Sequence, residues 1–321
     1  MQSTKQCYLR DLRTGDELAG EPFVLADLSV RMALNGLPYL AFVLQDRSGR
    51  MAGYWDRIDG SLVAGLEVGA GVRVSGRAVQ RDGRLQVAAE ALAVCELSDL
   101  SEYLPASPRP LDEMETELRA LAGGLREPLR AIVTAVLLVP DFLPAYLRAP
   151  AARRLHHACV GGLVEHTLAV TRLCEAFAEQ YPAVDRDLLV AAALLHDLGK
   201  VYEYAAGKTI KHTLEGQLLG HIAMATVRVS EAITRLGDVP QGIRMRLLHA
   251  IIAHHGKLEY GSPVLPATLE ATLLHQADIT DAQARGFIDQ VAQDTFSGGP
   301  LTEYSRMFGT ELLKPQAPDE W

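Results

Sequence analysis

A change of hydrophobic period at a proline-rich stretch constrains this chain more than any other feature. From about Tyr8 to Val94, apolar residues alternate in short runs such as LPYLAFVLQDRSGRMAGYW, GVRVSGRAVQ and GRLQVAAEAL. A period of two sends successive side chains to opposite faces, so these runs read as half-buried strands. The dipeptides Asn35-Gly36, Ser48-Gly49 and Asp82-Gly83 mark tight turns, because glycine and asparagine accept positive φ. About five such strands, with turn signals every eight to twelve residues, predict a small barrel or sandwich. Leu104 to Leu111 (LPASPRPL) then places three prolines in eight residues, which blocks helix and ladder bonding alike. Beyond it the period becomes 3.6. Helices are expected near Asp112–Leu125, Pro128–Leu138, Gly162–Tyr181, Asp187–Leu198, Thr213–Leu236, Ile243–His255 and Pro266–Arg285. The chain therefore reads as an α+β multidomain protein: a β domain over residues 1–100, a linker over 101–111, an all-α domain over 112–285 and an irregular extension over 286–321.

A length of 321 residues fits two cores better than one. Hydrophobic residues make up 48% of the chain and mean hydropathy is +0.06, enough apolar material to exclude a largely disordered protein. Apolar runs such as Leu188–Leu195 are far shorter than the roughly 18 to 20 residues that span a membrane. The opening MQSTKQCYLRDLRTGDEL has no continuous apolar segment, so no secretory signal is expected and the cytoplasm is the expected location. Cys7, Cys95, Cys159 and Cys174 form no CxxC pair, which argues against a disulfide framework or a cysteine zinc site. The net charge of −9 repels nucleic acid at long range, so binding would need a local basic patch or metal ions.

All ten histidines lie between His156 and His275, inside the helical region. Leu163, His166, Val170, Leu173 and Phe177 recur three and four apart, so His166 belongs to an apolar stripe facing the core. The nearly all-apolar run LLVAAALL ends in His196-Asp197 just before Gly199, where the pattern predicts burial. His221 shares a face with Leu218 and Ala225. His254 continues the stripe of Leu247 and Ile251, His255 that of Leu248 and Ile252, and Asp278 follows Leu274 by one turn. Any one of these is compatible with an ordinary core histidine. Together they would be costly to bury unless they converged on a cation, and imidazole with carboxylate suits manganese, iron, cobalt or zinc.

The order of these residues, His166, then His196-Asp197, then a distant Asp278, resembles the HD-domain metal-dependent phosphohydrolases. The strings HHACVGGLVEHTLAV, LLHDLGKVYEY, GHIAMA and HHGKLEYGSPV resemble more specifically the YhaM-type 3′-to-5′ exoribonucleases, and NGLPYLAFVLQDRSGRMAGYWD is similar to their N-terminal OB-fold domain. The resemblance runs from about Tyr8 to Arg285; Lys257 departs from the acidic or variable residue expected there. It implies an OB-fold barrel followed by an HD-type helical bundle. It further implies that Asp197 bridges two metals, manganese foremost, with His166, His196 and Asp278 completing one site and His221 with His254 or His255 the other. Such a pair generates a hydroxide near neutral pH and clamps the attacking and leaving oxygens at phosphorus.

Lys200, three residues after the HD pair, is expected to reach a phosphate oxygen; a lysine favoured by a helix C-terminus is the alternative. His157 is expected to line the mouth of the site, His156, His212 and His275 to be structural or superficial, and Ser262 to form a loop. On the barrel, Arg73 and Arg77 share a strand face and Arg84 and Gln86 follow the Asp82-Gly83 turn. With Tyr39, Tyr54 and Trp55 they would suit a single strand of nucleic acid. The function implied is hydrolysis of single-stranded RNA, and of single-stranded DNA, from the 3′ end. The alternatives are a small- or cyclic-nucleotide phosphohydrolase and a noncatalytic nucleic-acid-binding protein with a structural metal. Homo-oligomers are common among such enzymes, but no surface patch legible in the sequence argues for one.

Overall fold

The computed structural model describes residues 5–33, 36–56, 66–81, 84–97, 102–152, 157–206, 210–293 and 299–315. Asn35, the Asp82-Gly83 turn, the side chain of Arg84 and His156 lie outside these. Two compact units divide between Ala106 and Ser107 and again between Gly286 and Phe287, so that the C-terminal segment groups with the first unit.

The first unit is a closed barrel of β1 (Glu17–Met32), β2 (Pro38–Asp46), β3 (Gly49–Trp55), β4 (Gly71–Arg81) and β5 (Arg84–Cys95) in the order β1-β2-β3-β5-β4. β1 closes the ring by pairing antiparallel with both β2 and β4, and β3 runs parallel to β5. This is the strand order of an OB fold. β1 serves two neighbours because the registers shift between Ala19 and Glu21 and between Leu25 and Asp27, bulges that bend the strand around the barrel. Along β4, Val72, Val74 and Ala78 point inward and are fully buried, leaving Arg73 and Arg77 on the outer face.

The second unit begins with α1 (Leu111–Gly123), α2 (Leu129–Leu137), α3 (Leu143–Arg148) and α4 (Gly162–Gln180). α5 (Arg186–Leu195) is its centre, packing against α2, α4 and α8. It starts where the Asp185 carboxylate accepts from the Leu188 amide, and Leu188 to Leu195 are buried on every side, as the unbroken apolar run requires. The expected helix over Asp187–Leu198 stops three residues earlier. His196 to Gly199 form a turn that feeds the short α6 (Lys200–Glu203) and a hairpin of β6 (Tyr204–Ala206) and β7 (Ile210–His212), elements too short to leave a periodic signal. α7 (Leu214–Leu236), α8 (Gln241–Ala253) and the part of α9 (Leu269–Gln293) up to Gly286 complete the unit, α9 running eight residues past the expected Arg285. Among the described residues no helix is long and apolar enough to cross a membrane.

Two glycines set the backbone that carries the candidate ligands. Gly220, at φ 72°, breaks α7 into two segments and starts the second at His221. Gly199 lies so close to that break that a Cβ there would come within 2.1 Å of the His221 carbonyl oxygen. Gly199→Ala should therefore destabilise the protein by about 1–3 kcal/mol, because backbone must move to admit one methyl group. Trp55→Ala, which empties a core position only 4% exposed, should cost about 3–5 kcal/mol. Urea denaturation followed by far-UV circular dichroism measures both; an unchanged midpoint would contradict the packing described.

Candidate metal centre

The histidines singled out in the sequence converge inside the helical unit. His166 lies on α4 between fully buried Leu163 and Val170, His196 and Asp197 in the turn after α5, His221 just past the break in α7, His254 and His255 at the end of α8, and Asp278 on α9. His166, His196, Asp197 and His254 are all 2% exposed or less.

Each ring is fixed through one nitrogen. His196 Nδ1 donates to the Ala193 carbonyl at 2.8 Å and His254 Nδ1 to the Ile251 carbonyl at 2.7 Å. Both acceptors belong to the last turn of a helix, where carbonyls lack an intrahelical partner. His255 Nδ1 donates to the Tyr260 carbonyl at 2.7 Å. His166 Nδ1 lies 2.7 Å from Asp281 Oδ2, and His221 Nδ1 2.7 Å from Glu203 Oε2. Carbonyls and ionised carboxylates only accept, so every Nδ1 must carry the proton and every Nε2 can present a lone pair.

Those lone pairs face Asp197. Its Oδ2 lies 3.4 Å from Nε2 of both His166 and His196; its Oδ1 lies 3.4 Å from His221 Nε2 and 3.6 Å from His254 Nε2. Asp278 Oδ1 joins the first set, 3.2 Å from His166 Nε2 and 4.0 Å from His196 Nε2. Donor atoms of His166, His196 and Asp197 lie within 4.8 Å of one another, as do those of His221, His254 and His255. Asp197 Oδ1, His221 Nε2 and His254 Nε2 are buried and make no hydrogen bond. Acceptor facing acceptor in a buried site is repulsive unless a cation lies between them. Ligands on metal bonds about 2.1 Å long stand about 3.0–3.5 Å apart at octahedral or tetrahedral angles, close to the separations seen here. The residues thus fit divalent metal, and their nitrogen and carboxylate donors suit the first-row ions.

Electrostatics favour the ligand forms. Burial pushes the Asp197 carboxyl up, but the Lys200 ammonium that donates to it holds it well below its usual range. Burial keeps His221 and His254 below the ordinary histidine range and, with His254 beside it, pushes His255 down to about 4. His166 goes the other way: burial opposes its charge, but Asp197, Asp278 and Asp281 raise it well above the ordinary value. A divalent ion bound at its Nε2 would offset the same carboxylates.

Lys200 opens α6, past the end of α5, and its Nζ donates to Asp197 Oδ2 at 2.5 Å. His157 does not line a mouth: it is 4% exposed, facing Asp281 and Glu165. His275 Nδ1 donates to the His254 carbonyl at 3.0 Å, His212 stands 3.8 Å from Glu203, and Ser262 bonds the carbonyls of Ile252 and Val264, all supporting positions. Sequence reasoning missed Glu203 and Asp281. Asp281 had a readable signal, since it lies one turn after Asp278 on the same helical face.

On the barrel, Arg77 is exposed, 4.0 Å from Glu17, and Tyr39 is half-buried opposite Arg31. Arg73 is half-buried and donates to the Gly20 carbonyl at 3.0 Å. Trp55 is a correction: strand alternation turns it inward to the core and turns Tyr54 outward, so its ring is closed to a base. Tyr54, Ala88 and Arg77 form one cross-strand row, and the Arg81 guanidinium lies 4.7 Å from the Tyr54 ring centroid.

The family model described as HD domain matches residues 163–283, the span that holds His166, His196, Asp197, His221, His254, His255 and Asp278. The chain is 35% identical over 309 residues to a protein named 3′-5′ exoribonuclease YhaM from Listeria monocytogenes, covering 94% of this chain and 96% of that one. It is equally similar to the protein of that name from Listeria innocua and 34% identical to that from Listeria welshimeri, with the same coverage. Since the similarity runs through barrel and helical unit alike, the chain belongs to the YhaM family of HD-domain 3′-5′ exoribonucleases.

Proposed function

We propose that this protein is a metal-dependent 3′-5′ exoribonuclease that hydrolyses single-stranded RNA at a two-metal centre and accepts single-stranded DNA at the same centre. The observation that carries the reading is the division of Asp197, one oxygen facing His166 and His196 and the other facing His221 and His254. Asp278 completes the first set and His255 the second. Divalent ions held there, manganese in our reading, supply a nucleophile near neutral pH and offset charge on the phosphodiester. The chain's own part is to keep the imidazoles neutral, the carboxylates ionised and the rings in fixed planes. Lys200, bonded to Asp197, is assigned to a phosphoryl oxygen of the strand.

We assign strand holding to the barrel over residues 1–100 and hydrolysis to the helical domain over 112–285. Tyr39 and Tyr54 offer outward aromatic rings, and Arg73, Arg77 and Arg81 offer cationic groups, a combination suited to base stacking and backbone charge.

Asp197→Asn should leave the protein folded and reduce cleavage to background, since the carboxylate that faces both sets of imidazoles loses charge at nearly constant volume. The assay is a 5′-labelled RNA oligonucleotide with added Mn²⁺: wild type should yield a ladder shortening from the 3′ end, and a blocked 3′ end should suppress it. Near-wild-type turnover by Asp197→Asn would remove the centre from the reaction. Tyr54→Ala with Arg77→Ala should raise KM on RNA while sparing a small activated phosphodiester, and should flatten log K against log salt by roughly 0.7 for the lost phosphate contact. An unchanged KM and salt slope would take strand holding away from this face.

A further inference from the structure

On the Nδ1 side of His166, away from Asp197, the helical unit holds a polar chain that the ligand set does not use. Asp281 Oδ2 faces His166 Nδ1 at 2.7 Å and His157 Nε2 at 3.1 Å. The other ring nitrogen of His157 lies 3.4 Å from Glu165 Oε2, and Glu165 Oε1 lies 3.7 Å from Arg285 Nη1. Glu165 immediately precedes His166 on α4, while Asp281 and Arg285 are four apart on α9, so the chain ties the helix bearing the first ligand to the helix bearing Asp278.

The backbone of His157 shows that its place is specified. Its φ is 55°, and it is the one non-glycine residue with positive φ among those described. Such a conformation persists only when the surroundings over-determine it. Here the His157 carbonyl accepts from the amides of Ala151 and Cys159, and a Cβ on Gly162 would come within 2.0 Å of it.

We infer that His157 is a positioning residue of the metal centre: together with Glu165 and Arg285 it locks the Asp281 carboxylate, which in turn fixes the tautomer and ring plane of His166. The inference rests on the metal-centre reading above. Donor atoms of His157, His166 and Asp281 also lie within 4.8 Å of one another. A third ion there would require His166 to give up both ring protons, whereas its 2.7 Å approach to Asp281 is that of a hydrogen bond. Positioning is the simpler use of the same atoms.

The test is calorimetric titration of Mn²⁺ into the full-length protein after chelation and dialysis. His157→Asn is the variant, because asparagine tolerates the left-handed conformation better than most residues. It should keep the wild-type circular dichroism and Mn²⁺ stoichiometry and bind its tightest ion about 10–100-fold more weakly, the usual consequence of losing an outer-shell partner. Asp281→Asn should fall in the same range, and the double variant should be no weaker than Asp281→Asn alone, because both act through one carboxylate. In ¹⁵N-histidine-labelled, metal-free protein, His157→Asn should shift the His166 ring nitrogens, and on RNA excess Mn²⁺ should restore its turnover with KM unchanged. Should His157→Asn fail to fold, Glu165→Gln loosens the chain from its other end and should weaken Mn²⁺ in the same direction. Unchanged affinity in the folded variants, additive losses in the double variant, or loss of a whole equivalent of Mn²⁺ would each overturn the inference, the last by making His157 a ligand. Mn²⁺ binding by wild type without RNA cleavage would overturn the proposed activity alone; no Mn²⁺ binding by wild type would overturn the centre and this inference together.

Discussion

Asp197 is a carboxylate buried where α4, α5, α7, α8 and α9 bring their polar groups together, and removing its charge from water costs several kcal/mol, roughly, unless cations replace the lost hydration. Lys200, bonded to that carboxylate, supplies one positive group. The remaining nitrogens present lone pairs, which add to the need for a cation instead of meeting it. That imbalance is a free-energy cost of the polypeptide alone, and it becomes metal affinity when divalent ions bind. The unit's packing can be understood as the means of holding these repelling atoms at ligand spacing.

Two kinds of support hold them. His196 and His254 end helices and bond the carbonyl three residues back, so the helix terminus orients the ring with no help from elsewhere. His166 stands mid-helix and His221 follows a break, where no free carbonyl is at hand. Both lean on carboxylates, Asp281 and Glu203; His157 bonds the first, and His212 stands 3.8 Å from the second. Substitutions far from the centre by sequence can thus act on it through a carboxylate.

The barrel obeys a simpler constraint. Closure removes free edges, and strict alternation then assigns each side chain to the core or to the surface. Adjacent aromatic residues in one strand must part company: Trp55 fills the core and Tyr54 faces out. Arg73 and Arg77, four apart on β4, stay together on the outer face because both strand shifts beside them fall in the partner strands β1 and β5.

The sequence by itself determined the change from strand to helix, the placing of His166, Asp197 and Asp278 toward a core, and the order of residues that marks the family, because period and spacing are local properties. It could not choose between His254 and His255; both rings approach His221, since the end of α8 turns just enough to present two successive side chains. Nor could it place the break at Gly220, the turn that carries His196 and Asp197, or the buried arm through His157. His166 and Asp281 are 115 residues apart, and their 2.7 Å contact exists only because α4 and α9 come together in the folded core. Periodicity says which face of a helix is buried. Which faces meet, and how closely, is decided by side-chain packing among all the helices at once, and only tertiary structure records it.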